Sequence, residues 1–151
     1  MLQSFGFMFA LLWFSHSAMA GAQFNLSTVT IQTPDKTYSF FTEVAVSQAA
    51  KEQGLMFRQS IAPDHAMLFD FDPPQKVQMW MKDTVIPLDM IFVRSDGTIV
   101  SIAENAKPES LDVIGVDEPV ADVIEVAGGL THKLGIHAGD HVGGAAFSHH
   151  N

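Results

Sequence analysis

Only one short stretch of the chain after residue 20 has a clear helical pattern with caps at both ends. Gln48–Gln53 consists of good helix formers, Ser47 can cap its first turn, and Gly54 can end it. About two turns are too short for the crossover helices of a repeated β-α-β sheet. The sequence therefore predicts a mainly β fold, a compact single-domain sandwich or barrel with one short helix near residues 48–53.

The remaining pattern is a series of short β-rich runs separated by turn residues. Leu26–Thr33 and Thr37–Val46 predict an opening hairpin. Leu88–Val93 is nearly continuous in apolar residues, which is typical of a strand covered on both faces, and a tight hairpin leads into Ile99–Ala103. Further expected elements are strands at 66–71, 76–82 and 122–127, an irregular connection at 104–121 and a helical turn at 130–134. Pro73 and Pro74 are expected to end the strand at 66–71.

An apolar segment opens the chain. Phe5–Phe14 reads FGFMFALLWF and precedes the small-residue cleavage pattern Ala18-Met19-Ala20. The segment is shorter than the roughly 20 apolar residues that cross a bilayer. The sequence predicts a signal peptide over residues 1–20, cleaved after Ala20, and export to the periplasm, with an uncleaved membrane anchor as the alternative. The expected organisation continues with a linker (21–25), a β domain (26–142) and a flexible tail (143–151).

Charge and composition exclude several classes of protein. The 151 residues carry 17 acidic against 8 basic side chains, a net charge of −9, and 47% are hydrophobic. Neither intrinsic disorder nor a basic nucleic-acid surface fits these values. Zero cysteines exclude disulfides, cysteine-ligated zinc and thiol nucleophiles. His137 and His141 stand four apart, but Gly139-Asp140 between them disfavours the helix that would align them, so no metal or other cofactor is predicted.

The segment 76–82 places two kinds of side chain on opposite faces of a strand. Val77, Met79 and Met81 alternate with Lys76, Gln78, Trp80 and Lys82, so the tryptophan lies on the polar face. The methionines are predicted to fill gaps in the core; they are Met56, Met67, Met79, Met81 and Met90.

Several blocks of residues, in this order, resemble one family. They are Gly54–Arg58, Met67–Phe69, Trp80–Thr84, Pro87–Phe92, Asp96–Gly97, Ala106–Pro108, Val123–Glu125, Ala127–Gly128, Gly135–Ile136 and Gly139–Asp140. Over about residues 26–142 the chain is similar to the DUF192 family of domains of unknown function. The resemblance implies a small, jelly-roll-like β domain, often exported in bacteria, with no established activity. The family often has Asn where this chain has Asp83, which argues against a role that needs a neutral amide there.

The candidate ligand-binding residues cluster around the polar strand face. An aromatic plane beside an ammonium and carboxylates can stack against and hydrogen-bond a small polar ligand such as a carbohydrate. The predicted set is Arg58, Trp80, Lys82, Asp83, Thr84 and Asp89. The alternatives are that Trp80 only covers a second layer of the fold, and that Asp89 is structural. A buried Asp89 would need Arg58, Lys82 or backbone N–H groups to satisfy its charge, and a salt bridge with Arg58 is the expected form.

Two other classes of function remain open from the sequence. Asp89 and Glu125 could form the acid–base couple of a hydrolase or lyase, provided that both carboxylates meet in one cleft. A module that binds a protein partner would instead present an exposed apolar patch. We expect a binding or cell-envelope accessory role rather than catalysis.

Overall fold

The computed structural model describes the backbone of residues 21–150 and the side chains of residues 21–147. The predicted signal peptide over residues 1–20 lies outside this part of the chain. The described residues form nine strands and three short helices. In chain order they are β1 (Phe24–Gln32), β2 (Thr37–Ala45), α1 (Gln48–Gln53), β3 (His65–Gln75), β4 (Gln78–Met79), β5 (Leu88–Val93), β6 (Ile99–Ala106), β7 (Ile114–Gly115), β8 (Val120–Ala127), α2 (Leu130–Leu134), β9 (His141–Gly143) and a final 3-10 helix (Ala145–His150).

Seven of the described strands form one sheet in the order β6-β5-β8-β3-β2-β1-β9, and β4 pairs with β7 in a separate two-stranded sheet. Neighbours in the large sheet are antiparallel except β2 and β3, which are parallel. Parallel neighbours need a crossover connection. Here residues 46–64 provide it, and α1 lies within that connection.

The large sheet curls so that its two ends approach each other. Thr98, just before β6, forms an isolated bridge with His141 at the start of β9. Two backbone hydrogen bonds reinforce the approach, from Val142 N to Gly97 O at 2.7 Å and from Ile99 N to Asp140 O at 2.9 Å. The resulting half-barrel corresponds to the barrel form of the predicted mainly β fold.

Each face of the curled sheet carries its own hydrophobic cluster. Leu68, Ile91 and Ile124 belong to the inner cluster, which extends to Val142 near the closure. The outer cluster contains Met67, Phe69, Met81, Met90 and Phe92 and is covered by α1 and the loops that follow β3. Every residue of β5 is buried, as predicted for a strand covered on both faces.

Several local predictions are confirmed. The opening hairpin pairs Phe24–Gln32 with Thr37–Ala45, and β5 pairs antiparallel with β6. The helix spans Gln48–Gln53 with Ser47 as N-cap and Gly54 as C-cap. Met67, Met81 and Met90 are fully buried, whereas Met56 and Met79 are partly exposed.

Three segments differ from the predictions. β3 does not end at Asp72-Pro73-Pro74 but reaches Gln75, because its pairing with β8 is interrupted after Asp70 and the prolines therefore need not donate to the ladder. Only Gln78–Met79 of the segment 76–82 pairs as a strand. At the predicted tail, Gly143 pairs with Thr30 of β1, and Ala146 and Phe147 are buried because they pack into the inner cluster.

Candidate functional site

A groove with a volume of about 410 Å³ lies on the outer face of the sheet, beside α1. One wall is α1 with the turn after it, from Gln48 to Met56, and the opposite wall is Gln78, Met79 and Trp80. Phe69, Phe71, Gln75, Thr84 and Glu125 complete the lining. The mixture of apolar surface with a few polar groups is typical of sites for small molecules.

The position of α1 depends on its two caps. The Ser47 hydroxyl oxygen accepts hydrogen bonds from Ala50 N and from Gln23 N, both at 3.1 Å. At the other end, Gly54 has a φ of 48°, and a Cβ there would lie 3.2 Å from Phe69 Cζ. Glycine therefore lets the end of the helix approach Phe69 closely and brings α1 against the sheet.

Trp80 forms the rim of the groove. Its side chain is 51% exposed, while the neighbouring Met81 is fully buried in the outer cluster. The ammonium of Lys82 lies 5.6 Å from the centre of the Trp80 ring, within the range of a cation–π contact. The alternation predicted for this segment is confirmed, and it turns the indole outward beside charged and amide groups.

The loop that follows Trp80 is held by its backbone. Phe57, Asp83 and Glu109 all have positive φ angles, between 54° and 64°, which are uncommon for residues other than glycine. They lie at one junction, because Phe57 N donates to Asp83 O at 2.8 Å and Glu109 N donates to Thr84 O at 3.0 Å. Such strained backbone tends to cluster at functional sites, and here it fixes the loop beside the groove.

Glu125 is the buried acid of the groove. Its residue is only 4% exposed, and burial raises the pKa of its carboxyl to about 8. Its cross-strand neighbours are Met67 on β3 and Met90 on β5. No described residue donates a hydrogen bond to the side-chain carboxyl of Glu125 or forms an ion pair with it. The carboxyl group therefore has hydrogen-bonding capacity that the described protein does not use.

The helix side of the groove carries polar and charged groups. Gln48 Nε2 donates to Glu52 Oε1 at 3.0 Å. The Lys51 ammonium donates to the carbonyl oxygen of Asp70 and lies 5.4 Å from the centre of the Phe71 ring. Lys51 is therefore engaged by β3 rather than by Glu125.

Comparison with known proteins places the chain in a family. The family model for DUF192, described as an uncharacterized ACR, matches residues 29–144. The chain belongs to the DUF192 family. A search of curated proteins finds no match.

Two solved structures share the DUF192 fold of this chain. One is from Sinorhizobium meliloti 1021 and carries the provisional name of a transcription regulator; it is 46% identical with a TM-score of 0.79, and the match covers 82% of this chain and 96% of that one. The other is a protein of unknown function from Novosphingobium aromaticivorans DSM 12444, 36% identical with a TM-score of 0.75, and the match covers 83% and 89% of the two chains.

Of the residues predicted to bind a ligand in this DUF192 domain, the structure brings only some to the groove. Trp80 and Thr84 line it, and Lys82 lies against the Trp80 ring. The side chain of Asp83 is exposed in the strained loop. Arg58 instead forms a two-pronged pair with Glu43, with both nitrogen–oxygen distances 2.6 Å.

Asp89 lies away from the groove, and the predicted salt bridge between Asp89 and Arg58 is wrong. The buried carboxylate of Asp89 accepts hydrogen bonds from the backbone N–H groups of Asn105, Gly129 and Thr131, each at 2.8 Å, and from the Thr131 hydroxyl at 2.7 Å. Four donors satisfy the charge, so no guanidinium is needed. The carboxylate thereby anchors the start of α2 to β5.

The register of β5 and β8 also excludes the acid–base couple of Asp89 and Glu125. Glu125 is opposite Met90, whereas Asp89 is opposite Val126. Because successive side chains of a strand point to opposite faces, the two carboxylates lie on opposite faces of the sheet. They cannot share one cleft, which a mechanism of this kind requires.

Asp122 is a further buried acid on the inner face. Asp122 is opposite Asp70 in the pairing of β8 with β3. Burial, with a further contribution from Asp70, raises the pKa of Asp122 to about 8, and Lys51 opposes this shift. Asp122 is thus another carboxyl that is held protonated near neutral pH.

Neither a metal site nor a membrane span emerges from the described residues. Within residues 21–147, no three or more side chains of His, Asp, Glu or Cys are grouped so that they could hold a metal ion. In the described part of the chain, no helix has the length and apolar character to cross a membrane.

The residues that sequence reasoning missed are those of the helix wall, Gln48, Lys51 and Glu52. The signal in the sequence is the capped helix itself, which directly precedes the family block that begins at Gly54. Sequence alone did not show that the crossover would lay this helix beside Trp80.

Proposed function

We propose that this DUF192 domain is exported and binds a small polar ligand in the groove between α1 and Trp80. The observation that carries the proposal is the half-exposed indole on the rim, across from the polar side chains of α1. A ring in this position can stack on a ligand while the amides and Thr84 form hydrogen bonds. A carbohydrate is one ligand with the required hydroxyl groups.

The size and composition of the groove support this proposal. Its volume of about 410 Å³ falls within the range of about 300–1,000 Å³ found for small-molecule sites. Gln48, Gln53, Gln75 and Gln78 provide amides that can both donate and accept. These features favour a ligand with several polar groups over a purely apolar one.

Export is proposed from the sequence of the first 20 residues, where a ten-residue apolar stretch precedes an Ala-Met-Ala cleavage pattern. Mass spectrometry of the protein recovered from the periplasmic and cytosolic fractions of a bacterium tests export. A mature N-terminus at Gly21 in the periplasm supports export with cleavage, and an intact Met1 in the cytosolic fraction argues against export.

DNA binding, which the name of the Sinorhizobium relative suggests, has less support in this chain. Eight basic residues against 17 acidic ones give no excess of positive charge with which to neutralise phosphates. We therefore favour a small ligand over a nucleic acid.

A thermal-shift screen tests the binding proposal. The protein expressed from its full sequence is screened against sugars, cell-wall fragments and small metabolites, because a ligand selective for the folded state raises the midpoint. Trp80→Ala is expected to abolish the shift that a ligand causes. Leu26→Ala, which removes another highly exposed apolar side chain on β1, serves as the control and should keep it. A ligand that shifts both variants equally would contradict binding at Trp80.

A protein partner is the second candidate, because a specific apolar patch favours it. Phe57, Val85, Leu111 and Val113 are all exposed, and their loops are joined by backbone hydrogen bonds such as Met81 N to Ser110 O at 3.0 Å. Exposed apolar patches of this kind often mark interfaces. Leu111→Asp would weaken a partner complex and leave small-molecule binding in the groove unchanged.

A further inference from the structure

We infer that the ligand of the groove presents a protonated amine to Glu125, an inference that rests on the proposed binding function. The structural basis is a nearly buried carboxyl that opens onto the groove without a protein partner, together with aromatic rings at its mouth that already hold ammonium groups.

The first step of the argument concerns Glu125 itself. A buried carboxyl normally has a hydrogen-bonding or ionic partner, because burying it without one costs free energy. Asp89 of the same domain follows this rule with four donors. Glu125 has none among the described residues, although it is 4% exposed and lines the groove. Its missing partner is therefore expected to come from a bound molecule.

The second step concerns the aromatic rings. Phe71 and Trp80 each lie within 6 Å of an ammonium group, from Lys51 at 5.4 Å and from Lys82 at 5.6 Å. The chain's own lysines thus show that an ammonium can approach both rings, as a cation–π contact requires. A ligand amine entering between these walls would pass over aromatic faces and reach the carboxylate.

The third step is the charge around Glu125. The neighbouring strands β3 and β5 place the uncharged Met67 and Met90 beside Glu125. Gln78 and Thr84, which also line the groove, are uncharged as well. From α1, the charged groups at the groove are Lys51 and Glu52, whose charges offset each other. An ionised Glu125 would then leave the lining with a net negative charge, which favours a cation over an anion.

Ligand binding and the protonation of Glu125 are consequently linked. Burial holds the pKa of this carboxyl at about 8, so the free domain keeps it mostly protonated at neutral pH. An ammonium pairs with the ionised form, so binding drives the carboxyl proton into solvent, and the amine keeps its own proton. The affinity for an amine should therefore rise with pH while the amine stays protonated.

The experiment uses two matched pairs of probes with the full-length protein in titration calorimetry. One pair is 1,4-diaminobutane and 1,4-butanediol; the other is 6-amino-6-deoxyglucose and glucose, which tests whether the amine belongs to a sugar. We expect an amine to bind at least about tenfold more tightly than its hydroxyl counterpart. Glu125→Gln should remove that difference, since glutamine keeps the shape and loses the charge.

The pH dependence gives a second readout that does not depend on a variant that folds. Between pH 6.5 and 8.5, the affinity of the native protein for 1,4-diaminobutane should rise by about tenfold or more. Equal affinity for amine and hydroxyl probes, or a preference unaffected by Glu125→Gln, would overturn the inference. If neutral probes alone bind and need Trp80, the amine inference fails and the proposed function stands. If no probe and no compound of the wider screen binds, both fail.

Discussion

Asp89 on β5 accepts two hydrogen bonds from Thr131 on α2, one from the backbone N–H at 2.8 Å and one from the hydroxyl at 2.7 Å. The same carboxylate also binds the N–H groups of Asn105 and Gly129, so one buried side chain joins three segments of the domain. The role of Asp89 is therefore structural.

Removing the Asp89 carboxylate should destabilise the domain strongly. Asp89→Ala leaves four donors without an acceptor, and the two from Thr131 are buried, so we expect it to lower the free energy of unfolding by about 3 kcal/mol or more. Thr131→Val deletes a single donor and should cost about 1 kcal/mol. Urea denaturation followed by circular dichroism measures both. A cost below about 1 kcal/mol for Asp89→Ala would contradict the anchoring role.

The ion pair of Arg58 should couple to Glu43 and not to Asp89. Arg58 and Glu43 contact each other through two 2.6 Å hydrogen bonds, but both side chains are partly exposed, so solvent screens the pair. A double-mutant cycle of Arg58→Ala with Glu43→Ala should give a coupling of about 0.5–1 kcal/mol that falls with added salt. The matched cycle with Asp89→Asn should give no coupling, and a coupling of similar size there would contradict the structure.

Local patterns were enough to predict the elements that depend on neighbouring residues. The caps Ser47 and Gly54 predicted α1, and the alternation of Trp80 with Met81 predicted which of the two side chains is exposed. These features depend on hydrogen bonds within one turn and on the period of a strand, which a single sequence contains.

Long-range partners could not be predicted in the same way. The donors to Asp89 lie up to 42 residues away in the sequence. Arg58, the predicted partner of Asp89, pairs with Glu43 instead. The separation of Asp89 and Glu125 onto opposite faces depends on the register of β5 with β8. Register follows from the packing of the whole sheet, so residue types alone left both arrangements open.

Trp80 and Met81 offer a direct test of the two strand faces. Trp80→Ala should cost less than about 1 kcal/mol, because half of the indole is already in contact with water. Met81→Ala opens a cavity in the outer cluster and should cost about 2–5 kcal/mol. Thermal and urea denaturation of the two variants gives the comparison. A cost of about 3–5 kcal/mol for Trp80→Ala would show that the ring belongs to the core.

The stability of the domain should fall as the pH rises from about 4.5 to about 8. Burial raises the pKa of Glu125 from 4.5 to about 8, so over this interval the unfolded chain ionises and the folded one keeps its proton. The stabilisation is complete below pH 4.5 and is lost as the pH approaches 8.

Glu125→Gln should remove this part of the dependence and stabilise the domain at pH 8 by about 1–3 kcal/mol. Asp122→Asn is the matched variant, because the pKa of Asp122 on the inner face is also raised to about 8. Urea unfolding from pH 4.5 to 9 measures all three proteins. Identical pH profiles for Glu125→Gln and the native chain would show that folding does not raise the pKa of Glu125.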